Sequence, residues 1–184
     1  IGLTISSNGK PQLTSKLLPA DGLSNHLLHF SITHKLNTVS IGFARAPLGI
    51  DIEPVQCVDK MTIAHRFFTA QEAASLKSLD SAGRKDQFTK IWVLKEACVK
   101  REGSTLARQM GKLAFNVDGG SIQCHGNSAQ GHYQLYDLTI NQKPGYLGIA
   151  SSEGHSQPCE CYGGLPMAGY HRQPLTLIAE SCNG

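Results

Sequence analysis

From Arg84 to Gly103 the chain reads as one unbroken helix, and a helix of that length must lie on a broad apolar surface. Phe88, Ile91, Trp92, Cys98 and Val99 fall along a single stripe at 3.6-residue spacing, and Gly103 after Lys100 and Arg101 is the usual chemistry of a helix end. Lys95 falls near the middle of that stripe, where an ammonium must snorkel out or find a partner. Glu96 and Lys100 lie about 40° apart at its rim, the placement of an ordinary i,i+4 ion pair. Strands are available to support the helix: Phe30 to His34, Thr38 to Ala44, Gly49 to Glu53, Leu113 to Val117, Tyr133 to Thr139 and Tyr146 to Ser151. Helical segments between strand runs, with hairpins later, predict an α+β fold.

Gly49-Ile50-Asp51-Ile52-Glu53 is the stretch with chemistry in it. Strand side chains alternate faces, so Asp51 and Glu53 project from the same side, and Pro54 ends the run. Two adjacent carboxylates repel unless a cation or proton neutralises them, and a hard cation such as Mg²⁺ uses one or two such groups beside phosphate oxygens and water. The simpler reading is an edge strand with a wet polar face. Around it, Asp59 to Phe68 reads as a short helix, and Thr69-Ala70-Gln71-Glu72 is a capping box opening a helix to about Leu79. Asp118-Gly119-Gly120 and Lys143-Pro144-Gly145 read as turns. From Glu153 onward Gly, Pro, Ser and His dominate, predicting an irregular tail with one short strand at Pro174 to Ile178.

Composition excludes several classes. With 184 residues and 40% apolar content the chain can bury a good core. A net charge of +3 without a polybasic run gives nucleic-acid binding no support. No apolar stretch approaches membrane-spanning length and no signal peptide is recognisable, so the expectation is a soluble, cytoplasmic monomer with no membrane partner. Six cysteines (57, 98, 124, 159, 161 and 182) lack zinc-ribbon or finger spacing. Cys159 and Cys161, close to His155, are too few for a metal site on spacing alone, and reduced thiols are expected.

Gly49 to Glu53, followed after about forty residues by Trp92-Val93-Leu94-Lys95-Glu96-Ala97-Cys98-Val99-Lys100, resembles the two signature motifs of the 4′-phosphopantetheinyl transferases. Gly9-Lys10-Pro11, Phe30-Ser31-Ile32-Thr33-His34, Arg66-Phe67-Phe68-Thr69, Arg101-Glu102-Gly103 and Pro144-Gly145-Tyr146 resemble elements of the larger, surfactin-synthetase-type branch. The resemblance runs from about Gly9 to Ala150. It implies a pseudo-dimer of two α+β subdomains, the first incomplete: 1–45 as a partial N-terminal subdomain, 46–152 as the C-terminal one carrying the motifs, and 153–184 as tail.

The implied activity is transfer of 4′-phosphopantetheine from coenzyme A to a serine of an acyl or peptidyl carrier protein, releasing 3′,5′-ADP. By resemblance Asp51, Glu53 and Glu96 hold Mg²⁺, Glu96 also serves as general base, and Lys100 lies over the phosphates. Lys95 serves the same anionic site, while Lys10 and His34 contact the coenzyme. Two positions depart from the pattern: Thr33 stands for a serine and keeps its hydroxyl, and Lys35 stands for a second serine, placing a cation there. Larger members carry further residues, some basic, ahead of the G-K-P element. The expectation is therefore a longer native form beginning upstream of Ile1, and weak coenzyme binding by the chain as it stands. A truncated, non-catalytic module that binds coenzyme A or a carrier protein is the alternative, and a Mg²⁺-dependent hydrolase of phosphoanhydrides is another.

Overall fold

A computed structural model describes residues 2–7, 9–13, 28–55, 57–105, 110–126, 130–153, 159–165 and 169–181. Six strands form the main sheet, in the spatial order β5 (Leu48–Pro54), β9 (Lys143–Ser151), β8 (His132–Ile140), β12 (Thr176–Ser181), β7 (Ser121–Gly126) and β6 (Leu113–Asp118). Neighbours run antiparallel except β12 and β7, which are parallel. Three two-stranded pairs accompany it: β1 (Leu3–Ile5) with β2 (Pro11–Leu13), β3 (His29–Lys35) with β4 (Thr38–Ala44), and β10 (Cys161–Leu165) with β11 (Gly169–Gln173). The helices are α1 (Met61–Phe67), α2 (Ala70–Ser78) and α3 (Ser81–Glu102). The mixture is α+β, as the sequence pattern predicts.

α3 lies along one face of the sheet, where Phe88, Ile91, Leu94 and Cys98 pack with Phe115, Leu135 and Ala150. Ile50, Ile52, Tyr136, Leu147 and Ile149 form a second cluster. β5 ends the sheet yet is buried on both sides, because the β3–β4 hairpin leans on it. Gly42 of β4 meets the side chains of Leu48 and Ile50, and the Ile50 amide donates to Ser31 Oγ at 3.0 Å. Among the described residues, 1–45 contribute strands and no helix. The outer face of this hairpin is apolar and exposed, with Ile32, Val39, Ile41 and Phe43 all turned to solvent.

Two glycines let α3 approach so closely. A Cβ on Gly49 would stand 1.9 Å from the Ala97 carbonyl oxygen, and one on Gly148 would stand 2.8 Å from that of Val93. The C-terminal end of α3 is as read, but its start lies three residues before Arg84, at Ser81. Asp80 caps α3 through the Gly83 amide, and Gly103 stops it with a left-handed φ of 60°. The Thr69/Glu72 box opens α2 with both of its hydrogen bonds in place.

Lys95 resolves its awkward position by pairing inside the core. Its side chain is fully buried, with Nζ 2.9 Å from Glu72 Oε2, and it donates to the carbonyls of Met110 and Leu113. Glu72 therefore serves twice, since it also accepts from the Thr69 and Phe115 amides. Phe68, Phe88 and Trp92 stack beside this pair.

Three readings change. The β8–β9 turn is Asn141-Gln142, both with positive φ (48° and 64°), rather than Lys143-Pro144-Gly145, which begins β9. The tail expected to be irregular apart from one short strand at Pro174 to Ile178 supplies a hairpin, and that strand is β12, built into the sheet between β8 and β7. β7 had no reading in the sequence. His155 and Cys182 lie outside the described residues.

Gly49→Ala should cost about 3 kcal/mol or more, measured by chemical denaturation, because backbone rather than a flexible side chain occupies the space; a loss under about 1 kcal/mol would mean that α3 can move away at little cost. Lys95→Met strands a buried carboxylate and should cost about 3–5 kcal/mol. Adding Glu72→Gln to it should recover part of that loss.

Candidate active site

Gly49, Asp51 and Glu53 share one face of β5 by strand alternation, and Gly49 marks that face as the one against α3. Asp51 and Glu53 are 5% and 8% exposed, too buried for the wet edge-strand reading. Lys100 reaches across from α3, its Nζ 2.7 Å from Asp51 Oδ1, so its charge goes to Asp51. Thr33 Oγ1 donates to the same oxygen at 2.8 Å. Lys35 Nζ stands 2.7 Å from Glu53 Oε1. Asp51 Oδ2 is buried and, among the described residues, has no hydrogen-bond partner.

Glu96 completes the cluster. Burial first, and then the Asp51 and Glu53 charges, push its carboxyl up to about 7, with Lys100 and Lys35 opposing. At neutral pH it stands near half-ionisation, the condition for a group that takes and returns a proton. Three carboxyls facing two ammoniums on adjacent elements make a dense, polar, largely buried patch. Among the described residues, no three His, Cys, Asp or Glu side chains converge into a ready-made metal cage.

The structure thus pairs Asp51 with Lys100 and places Glu96 under the influence of the Asp51, Glu53 and Lys100 charges. It does not bring Lys95 to them, for its ammonium is sealed in the core with Glu72; the expectation that Lys95 serves the anionic site is corrected by that pairing. His34 is exposed on the opposite face of β3 from Thr33 and Lys35, again by strand alternation. Lys10 sits by the far end of β5, donating to the Leu48 and Arg101 carbonyls at 3.3 and 2.8 Å. Burial lowers its pKa, with Glu102 opposing. It borders a cleft of about 310 Å³ lined by Ser6, His29, Phe30, Pro47 and Glu102.

Thr33 and Lys35 contact the carboxylates, whereas the sequence reading has Thr33 only keeping a hydroxyl and Lys35 only placing a cation near the phosphates. Their signal was parity: with Ser31 they form the polar face of β3, opposite Ile32 and His34, and a polar strand face is ordinarily assigned to solvent.

The raised Glu96 pKa has a sign. Between its ordinary value of 4.5 and about 7 the folded protein holds a proton that the unfolded chain releases. The stability this confers is fully present below about 4.5 and is lost as pH rises through about 7. Glu96→Gln lacks that loss, so its stability relative to the parent should climb across this window and level off above it. A difference that stays flat with pH in denaturant titrations would show that Glu96 is not buried against its neighbours.

The model for the 4'-phosphopantetheinyl transferase superfamily matches residues 47–149, which include Asp51, Glu53, Glu96 and Lys100. The chain is 31% identical over 124 residues to 4'-phosphopantetheinyl transferase Sfp of Bacillus subtilis, covering 64% of this chain and 52% of that protein. It is 33% identical over 100 residues to 4'-phosphopantetheinyl transferase psf-1 of Bacillus pumilus, covering 54% and 39%. The chain spans about half the length of the curated relatives it matches. A solved holo-(acyl-carrier-protein) synthase from Bacillus anthracis, in complex with CoA (3',5'-ADP), is 18% identical with a TM-score of 0.45 over 59% of this chain and 97% of that one. Because the matched span covers more than half of the sequence, and both β5 and α3 fall within it, the chain belongs to the 4'-phosphopantetheinyl transferase superfamily.

Proposed function

We propose that this protein transfers 4′-phosphopantetheine from coenzyme A to a serine hydroxyl of an acyl or peptidyl carrier protein, acting as a cytoplasmic monomer. The observation that carries the reading is the Asp51–Lys100 pair, with Glu96 under the charges of Asp51, Glu53 and Lys100, inside the span matched to the family. Asp51, Glu53 and Glu96 would hold Mg²⁺. The buried, unpartnered Asp51 Oδ2 and the all-oxygen donor set suit that hard ion, and nothing softer is offered. Bound there, Mg²⁺ would supply Lewis acidity and neutralise pyrophosphate charge.

The chain's own groups then divide the work. Thr33 fixes the Asp51 carboxylate through its hydroxyl, leaving the second oxygen open. Glu96 accepts the serine proton, directly or through water, as the serine oxygen bonds to the β-phosphorus of the coenzyme. The bond from that phosphorus to the bridging oxygen breaks, and 3′,5′-ADP leaves with the electron pair. Lys100, partly exposed and one helical turn from Glu96, stabilises the charge on the phosphates. Positioning and charge stabilisation carry most of such a transfer. Lys95, sealed in the core with Glu72, has no part in these steps, while Lys10 and His34 would contact the coenzyme away from the carboxylates.

Incubation of an apo-carrier protein with coenzyme A, Mg²⁺ and this protein should add one phosphopantetheine to the carrier by mass spectrometry. Asp51→Ala should lower the rate at least ~100-fold, and added Mg²⁺ should not restore it. Coenzyme binding without transfer would favour a non-catalytic binding module, and near-full activity of Asp51→Ala would remove the carboxylate cluster from the chemistry.

A further inference from the structure

Lys35 presents a charge that the steps above do not use. It stands on β3 beside Thr33, and its ammonium pairs with the carboxylate of Glu53. The pair is lopsided: the Glu53 side chain is 11% exposed and that of Lys35 is 39% exposed. The carboxylate is fixed in the wall of the site, whereas the lysine can swing away on four methylenes. Lys100 sits differently, since it shares Asp51 Oδ1 with Thr33 and leaves Oδ2 open.

We infer that Lys35 is a tethered counter-ion that competes with a divalent cation for Glu53 and so sets how tightly the carboxylate cluster takes that cation. The inference rests on the proposed cation-holding role of Asp51, Glu53 and Glu96. With all three ionised, three negative charges face the two ammoniums of Lys35 and Lys100, leaving one net negative charge to attract a cation. Without Lys35 there would be two. A divalent ion entering beside Glu53 must displace the ammonium or accept it as a like-charged neighbour, and either outcome weakens binding. The displaced ammonium would remain at the rim of the site, free to pair with an incoming phosphate. Cation and phosphate-bearing ligand would then favour one another: the cation frees Lys35, and the ligand gives it a new partner.

The test is titration of the intact chain with MnCl₂ and MgCl₂ at pH 8 by calorimetry, with no substrate present. Lys35→Met removes the charge and adds no oxygen ligand, so Kd for Mn²⁺ should fall at least ~tenfold, about 1.4 kcal/mol. Lys35→Arg keeps the charge and should stay within ~twofold of the parent. Lys35→Gln, a polar replacement at this partly exposed position, should follow Lys35→Met and guards against misfolding of that variant. Equal Kd values for the parent, Lys35→Met and Lys35→Gln would overturn the role of Lys35 while leaving the carboxylates as cation ligands. Absence of Mn²⁺ binding in all four proteins would overturn the cation-holding reading, and this inference with it.

Discussion

The contact on which the molecule depends is that of backbone against backbone, where α3 crosses β5 and β9. Gly49 and Gly148 present no side chain at the crossing, so the helix axis comes nearer to the sheet than ordinary packing allows. That nearness sets which helix residues meet which strand residues. Ala97 lies over Gly49, so Lys100, one residue beyond the next half-turn, extends to Asp51. Glu96 joins the same carboxylates, while Lys95, turned 100° away, points into the core. The spacing between G-I-D-I-E and the helix motif thus has a mechanical reading: one segment supplies the bearing surface and the other the part that rests on it.

The ion pairs fall into two groups with different consequences. Lys95–Glu72 is sealed, saturated with hydrogen bonds and wedged beside three stacked rings. Such a pair fixes one arrangement of α2, α3 and β6 because any other would leave a charge stranded. Lys100–Asp51 and Lys35–Glu53 pair a buried carboxylate with a lysine that keeps contact with water. Those pairs can exchange partners without unfolding anything. Rigid pairing behind the helix and exchangeable pairing in front of it give a site whose frame holds still while its charges rearrange.

What the sequence made legible was local. The strand ending at Pro54, the capping box at Thr69 and Glu72, the Gly103 stop and the Asp118-Gly119-Gly120 turn each depend on a few neighbouring residues, and each is present. The Asp51–Lys100 contact was foreshadowed by the motif pair rather than by helix geometry, which suggested Glu96 as the partner of Lys100. Lys95 was visible as a problem, but its solution was not. Glu72 reads completely as a cap, and nothing local shows that the same carboxylate faces a lysine on another helix. His34 drew attention through the resemblance of Phe30 to His34 to a family element, whereas its neighbours Thr33 and Lys35 contact the carboxylates. A strand near Pro174 to Ile178 was legible, but not its place in the sheet, since the pairing of β12 with β7 and β8 is long-range.

β12 also governs the order in which this molecule can assemble. It lies between β8 and β7, so the hairpin β6–β7 has no strand-to-strand link to the rest of the sheet until residues 176–181 arrive. During synthesis β5, β8, β9 and α3 can associate early, because their pairings are complete before residues 176–181 emerge. The far third of the sheet must wait, with the edges of β7 and β8 open to other chains in the interval. Removal of β12 would therefore divide one continuous sheet into two and leave an unsatisfied seam between them.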